Sequence, residues 1–284
     1  MQEYIKLKNG VQMPRLGMGT RHFGEDMKTR DREIEALITG ISEGICMIDT
    51  AEVYGGGLSE QLVGQVVRQH NREKLFLVSK VYPSNMKQDR IAKRLRHTLK
   101  FMRTDYLDLY LLHWRGNASL EETVECMERL VAEGKIRNWG VSNFDINDME
   151  ELLHIPGGEN CAVNQVLYHL GARGIEYDLL PWQKEKGIPI MAYCPLAQGG
   201  SMQPELLADA AVEYVAKKHE ITPVQVLLAF VLSQENVAAI PCSGQKRHIF
   251  ENFKASKIEL DVEDKKLLDR AFPVPDNKKP LQPA

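Results

Sequence analysis

The chain has 284 residues, 43% hydrophobic and 26% charged, with a formal net charge of −3. No basic stripe points to nucleic acid, no polybasic patch to a membrane surface, and no apolar run approaches the roughly 20 residues that cross a bilayer. The five cysteines (Cys46, Cys126, Cys161, Cys194, Cys242) are widely spaced, with no C-x-x-C pair, which argues against a disulfide framework or a structural zinc and for a reducing compartment.

In chain order, the N-terminal MQEYIKLKNG lacks the apolar core of a signal peptide, so a cytoplasmic protein is expected. Ile5–Met13, centred on Asn9-Gly10, reads as a β-hairpin that could plug the end of a barrel. Short β-rich runs then end near Thr20, Asp49, Lys80, His113, Asn143, Gln165, Tyr193 and Ser243. Seven of these eight are followed by a polar loop and a segment of helical period, among them Ser119–Glu133, Pro204–His219 and Asp261–Ala271. Ser119-x-x-Glu122 and Thr222-Pro223-x-Gln225 read as capping boxes. The second opens an extra helix, Pro223–Gln234, before the last strand. This alternation predicts an α/β fold: a single (β/α)8 TIM barrel over residues 1–284, with an N-terminal hairpin and extra helices. A doubly wound sheet is the rival, but Gly17-Met18-Gly19-Thr20 lacks the third glycine and the following helix of a dinucleotide fingerprint.

Asp49 and Tyr54 in IDTAEVYG, Lys80 in LFLVSK and His113 in YLDLYLLHW lie at or just past the ends of strands two, three and four. In a barrel those ends face one cavity, where this fold builds its active sites. Each residue alone has a bland reading as a loop cap, a packed ring or a solvated strand end. Together they suit hydride transfer to a carbonyl, whose oxygen needs a proton as charge develops. Tyr54 would donate it, with Lys80 lowering the phenol's pKa. Asp49 would hold Lys80 charged, and His113 would donate a hydrogen bond to the substrate oxygen. No set of residues has ligand spacing for a metal.

The segments IDTAEVYG, TDYLDLYLLHW, GKIRNWGVSNF and IPCSGQKRHIFEN resemble the signatures of the aldo-keto reductases, in the same order, from about Gly17 to Asn252. The closest look is to small bacterial members that reduce methylglyoxal and similar aldehydes. The resemblance implies Tyr54 as general acid, a small carbonyl substrate, a monomer, and NADP(H) bound without a dinucleotide fold. It also implies cofactor contacts from Thr20 and Asp49. Ser142, Asn143 and Gln165 would bind the carboxamide, and Tyr193 would stack on the nicotinamide. Leu196 and Gln198 would cover the pyrophosphate, and Ser243, His248, Glu251 and Asn252 would hold the adenosine end.

This chain departs from the pattern at two positions. The family's phosphate-binding lysine is Cys242 here, and its arginine is His248, a residue type only part charged near neutral pH. Lys246 and Arg247 could supply charge from a shifted geometry, so NADPH is expected with a narrowed margin and NAD(H) remains possible. A short loop after His113 and a short tail after Ala271 predict an open site for small aldehydes, ketones and dicarbonyls, walled by Trp114, Phe23, Tyr82 and Arg21. The competing readings are a Schiff-base lyase using Lys80 and a barrel that senses NADP(H) without turnover. The first needs a neutral amine, which Asp49 opposes.

Overall fold

Strand and helix alternate in the structure, a computed structural model that describes residues 3–86, 88–197 and 202–282. The hairpin comes first: β1 (Tyr4–Lys6) pairs antiparallel with β2 (Gln12–Pro14). Gly10 in its turn has φ 87°, a left-handed value that glycine adopts without strain. Ile5, Leu7 and Met13 pack on Met47, Phe76, Val78 and Leu109, so the hairpin closes the barrel floor.

The sheet runs β3 (Gly17–Gly19), β4 (Met47–Asp49), β5 (Phe76–Val81), β6 (Leu109–Leu112), β7 (Trp139–Ser142), β8 (Asn164–Leu167), β9 (Ile190–Tyr193) and β10 (Val237–Ile240). Each strand pairs in parallel with its sequence neighbour. Parallel bridges Leu16–Ala239 and Gly19–Cys242, with Gly19 N donating to Pro241 O at 3.0 Å, close the ring. A β-carbon on Gly19 would fall 2.9 Å from the Ile240 carbonyl oxygen, so the closure requires glycine.

Side chains alternate across a strand, and this fixes the interior layers. Along β5, Phe76 and Val78 belong to the inner cluster, whereas Leu77 and Val81 face the helices. The next inward position is Lys80. By the same period Met47 leads to Asp49, Leu111 to His113, Val163 to Gln165, Met191 to Tyr193, and Ile240 to Cys242. An apolar floor therefore gives way at the C-terminal rim to a layer of polar side chains.

Around the sheet lie α1 (Arg30–Glu43), α2 (Leu58–Val67), α3 (Gln88–Met102), α4 (Leu120–Ala132), α5 (Ile146–His154), α6 (Leu179–Lys186), α7 (Met202–Leu207), α8 (Ala210–Lys218), α9 (Pro223–Leu232), α10 (Lys246–Ala255) and α11 (Val262–Ala271). The capping box of Thr222 and Gln225 opens α9, the expected extra helix. Two expectations are corrected. The helix expected over Pro204–His219 is broken into α7 and α8, because the Asp209 side chain turns back to accept from Ala211 N and starts a new helix. Ser119 accepts from Glu122 N, but its hydroxyl donates to Glu121 at 2.8 Å, so only half of that box forms.

Candidate active site

Asp49, Lys80 and His113 occupy the inward layer just described. Tyr54 is brought to them by the loop after β4, which turns sharply through Gly55, Gly56 and Gly57 at φ 56°, 61° and 96°. Three consecutive left-handed residues are tolerable only in glycine. Lys80 Nζ donates to Asp49 Oδ1 at 2.6 Å and Thr50 O at 2.8 Å, and lies 3.5 Å from the Tyr54 hydroxyl. The Tyr54 and His113 rings are 5.9 Å apart, edge to face. The four side chains expected to carry the chemistry therefore converge.

Electrostatics refine the picture. Lys80 is fully buried. Burial works against its ammonium, but Asp49 and the Tyr54 oxygen more than offset it, and its pKa is raised. A buried pair of this kind is costly to break, because removing one partner strands the other charge. Tyr54 corrects an expectation: its pKa is raised and not lowered. Burial is the largest influence and pushes the phenol up, while Lys80 pulls it partly back. His113 is pushed down to about 3 by burial, then by Lys80 and Arg21, so the ring is neutral at any ordinary pH.

Next to this group, Gln165 spends its amide N–H on Asp49 Oδ2 at 2.9 Å, which leaves its carbonyl oxygen for a ligand. Ser142 Oγ donates to Gln165 O at 2.8 Å, and Asn143 Nδ2 donates to His113 O at 3.1 Å. The Tyr193 hydroxyl donates to Asn143 Oδ1 at 2.8 Å. Thr20 Oγ1 donates to the Asp49 carbonyl at 2.9 Å. A donor and acceptor set of this kind, floored by amides and flanked by a tyrosine ring, fits a planar carboxamide.

These residues line one cavity of about 1050 Å³, which also takes in Arg21 and Trp114. Other expected residues stand elsewhere. Phe23 is 4% exposed and belongs to the hydrophobic core, not to the cavity wall. Tyr82 packs edge-on to His113 at 6.1 Å but is not on the cavity wall. Leu196 is buried, its carbonyl accepting from Gln203 at 2.6 Å. Gln198 lies outside the described residues.

Cys242 lines the cavity, its thiol pushed up to about 12, chiefly by burial. Beyond the wall come Ser243, in the loop before α10, and His248, Glu251 and Asn252 on α10 itself, with Ser243 Oγ 2.9 Å from His248 Nδ1. No side chain caps the N-terminus of α10. Lys246 pairs with Glu35 at 2.8 Å and Arg247 with Glu251 at 3.4 Å.

The sequence reading missed His22, Glu25, Cys194, His169, Met202 and Gln282 on the cavity wall. Cys194 and His169 follow β9 and β8 so closely that the strand-end rule could have found them. Gln282 was unreadable. The tail after Ala271 is short yet still reaches the rim: Lys278 Nζ pairs with Asp145 at 3.0 Å and Asp178 at 2.8 Å, and Gln282 O lies 3.5 Å from the Tyr193 hydroxyl. The site is therefore less open than its loop lengths imply. Among the described residues, no group of three or more His, Cys, Asp or Glu side chains could hold a metal ion, and no helix is long and apolar enough to cross a membrane.

The chain is 48% identical over 280 residues to methylglyoxal reductase YeaE of Escherichia coli strain K12, covering 99% of this chain and 98% of that one. It is 34% identical over 271 residues to a glyoxal reductase of Bacillus subtilis strain 168, covering 95% and 92%. The crystal structure of an aldo-keto reductase from Klebsiella pneumoniae in complex with NADPH superposes with a TM-score of 0.96 at 45% identity, covering 100% of both chains. With the Aldo/keto reductase family itself matched over residues 15–272, this chain belongs to the aldo/keto reductases.

Proposed function

We propose that this chain is an NADPH-dependent reductase of small aldehydes, ketones and dicarbonyls of the methylglyoxal type, working as a single cytoplasmic barrel domain and as a monomer. The observation that carries the reading is the convergence of Tyr54, Asp49 and His113 on the wall of a cavity whose floor fits a carboxamide, with Lys80 buried behind Asp49 and Tyr54. Relatives named methylglyoxal and glyoxal reductases, and a structural neighbour crystallised with NADPH, support it. Bound NADPH would supply the hydride to the carbonyl carbon.

The protein's part is proton supply and charge stabilisation. As negative charge grows on the carbonyl oxygen, Tyr54 gives up its proton. The Lys80 ammonium beside it, held by Asp49, stabilises the phenolate left behind. Because Tyr54 is raised and not lowered, the phenol keeps its proton until that charge appears. Neutral His113 offers an N–H to the same oxygen and adds no second positive charge. Gln165, Ser142 and Asn143 would orient the carboxamide, and Tyr193 the ring plane. At the adenosine end, the uncapped N-terminus of α10 and the side chains of Lys246 and Arg247 would meet the 2′-phosphate. Their surface ion pairs are weak enough to exchange partners.

The test is cofactor oxidation followed at 340 nm with NADPH and NADH against methylglyoxal, glyoxal and a panel of short aldehydes and ketones. Turnover with NADPH, and weaker turnover with NADH, is expected. No turnover with any carbonyl, or trapping of a covalent Lys80 adduct by borohydride, would overturn the reading.

A further inference from the structure

Arg21 follows β3 at the cavity rim, and its backbone is fixed from three directions. Thr20 Oγ1 donates to Asp49 O at 2.9 Å, Ser59 Oγ donates to Thr20 O at 2.9 Å, and the Cys242 thiol donates to Arg21 O at 3.5 Å. The side chain is exposed and lines the same cavity as Tyr54, His113 and Trp114. Among the described residues, no carboxylate or carbonyl is paired with its guanidinium. The other charges on the wall are engaged: Asp49 by Lys80 and Gln165, and Glu25 by His22 at 3.2 Å. The guanidinium's charge is felt at His113, after burial and Lys80, and also at Tyr54 and Cys194. The side chain thus shares the wall with Tyr54, His113 and Trp114, near enough for its charge to act on the reacting end of the cavity.

A guanidinium in a half-enclosed cavity is a fork for a planar anion. A neutral aldehyde makes no use of it. We propose that Arg21 is a specificity-determining residue that binds a carboxylate on the substrate, so that the preferred substrates are short carbonyl compounds carrying a carboxylate, the oxo acids. This rests on the reductase reading above and narrows it. The carbonyl would sit under Tyr54 and His113, with the carboxylate turned to Arg21.

The experiment compares matched pairs, 4-oxobutanoate against butanal and glyoxylate against acetaldehyde, by steady-state kinetics with NADPH. The enzymes are wild type, Arg21→Gln and Arg21→Lys. In wild type, kcat/KM is expected to favour the acid of each pair by at least about tenfold. In Arg21→Gln that ratio should fall by about ten- to a hundredfold, mostly through KM. Arg21→Lys should restore part of it, because it keeps charge and loses the fork. Added salt should lower the ratio in wild type and not in Arg21→Gln. The proposal is overturned if wild type favours the neutral member, or if Arg21→Gln leaves the ratio unchanged. It is also overturned if Arg21→Gln weakens NADPH binding, measured by fluorescence titration, as much as it weakens use of the acid, since Arg21 would then serve the cofactor. Reduction of butanal without discrimination for the acid defeats this inference alone. Absence of any turnover defeats the reductase reading itself.

Discussion

At the scale of single residues, Tyr54 shows how burial and charge compete. Next to an ammonium a phenol should become a stronger acid, yet desolvation wins and its pKa rises. A group with its proton secured is still a good donor if the base it meets is an emerging alkoxide. Tyr54→Phe should therefore lose about 10²–10⁴-fold in kcat, the usual range for a general acid, while NADPH binds as before. Stopped-flow turnover and a cofactor titration on the same preparation decide it. A variant that keeps more than about a tenth of wild-type kcat would remove Tyr54 from the role. Cys242 is the second residue to test. Its thiol is neutral and lines the cavity, at the position where the family resemblance expects a lysine. Cys242→Lys should lower the Kd for NADPH and leave that for NADH nearly unchanged, because the new ammonium meets only the 2′-phosphate. Equal tightening of both, or of neither, means that position 242 does not face that phosphate. Phe23 marks the limit of what could be read at this scale. Arg21, two positions before it, is on the cavity wall, and past the end of β3 no period says which side chains of the loop turn inward.

Elements were more legible than residues, because strand period and capping are local. The polar layer at the rim follows from alternation along each strand, and Thr222 with Gln225 announces α9. The break between α7 and α8 was hidden because Asp209 keeps helical periodicity on both sides of its own cap. No periodicity describes the tail that reaches Tyr193. Helix α2 carries a further feature that pattern could not reveal. Glu60 is buried, its Oε1 accepts from Ser79 Oγ at 2.7 Å, and burial pushes its pKa up to about 7. The folded-state value lies above the unfolded one. The folded protein therefore binds the proton more tightly, a stabilisation complete below about pH 4.5 and lost as pH rises through 7. Glu60→Gln keeps an acceptor for Ser79 and cannot ionise. Relative to wild type it should gain about 2–3 kcal/mol of stability on going from pH 5 to pH 8. Urea denaturation at the two pH values reads this directly, and a pH-independent difference would contradict it.

For the whole molecule, the buried histidines act in the opposite sense. Burial pushes His113 down to about 3 and His169 to about 4. Their folded values lie below the unfolded one near 6.5, so the unfolded chain takes up protons first. Stability from the neutral rings is complete above that value and is lost as pH falls toward 4 and then 3. Between pH 6.5 and 4.5 the two rings outweigh Glu60, leaving a net loss of roughly 2 kcal/mol from these three groups. A urea series across that window should show the fall, steeper in Glu60→Gln, where the opposing group is gone. A flat profile would mean that other groups dominate.

The route of the tail also sets how the protein can be handled. Glu3, paired with Arg15 at 2.7 Å, lies beside the hairpin that closes the floor, while Gln282 lies on the wall of the catalytic cavity at the opposite mouth. The two described ends of the chain are therefore not equivalent as points of attachment. A linker, fluorophore or surface anchor joined at the N-terminal end leaves the cavity facing solution. The same addition at the C-terminal end pulls on the segment held by Lys278 against Asp145 and Asp178 and crowds the passage of small molecules past Tyr193. Immobilised enzyme oriented by its N-terminal end should keep its solution turnover, and enzyme oriented by its C-terminal end should not.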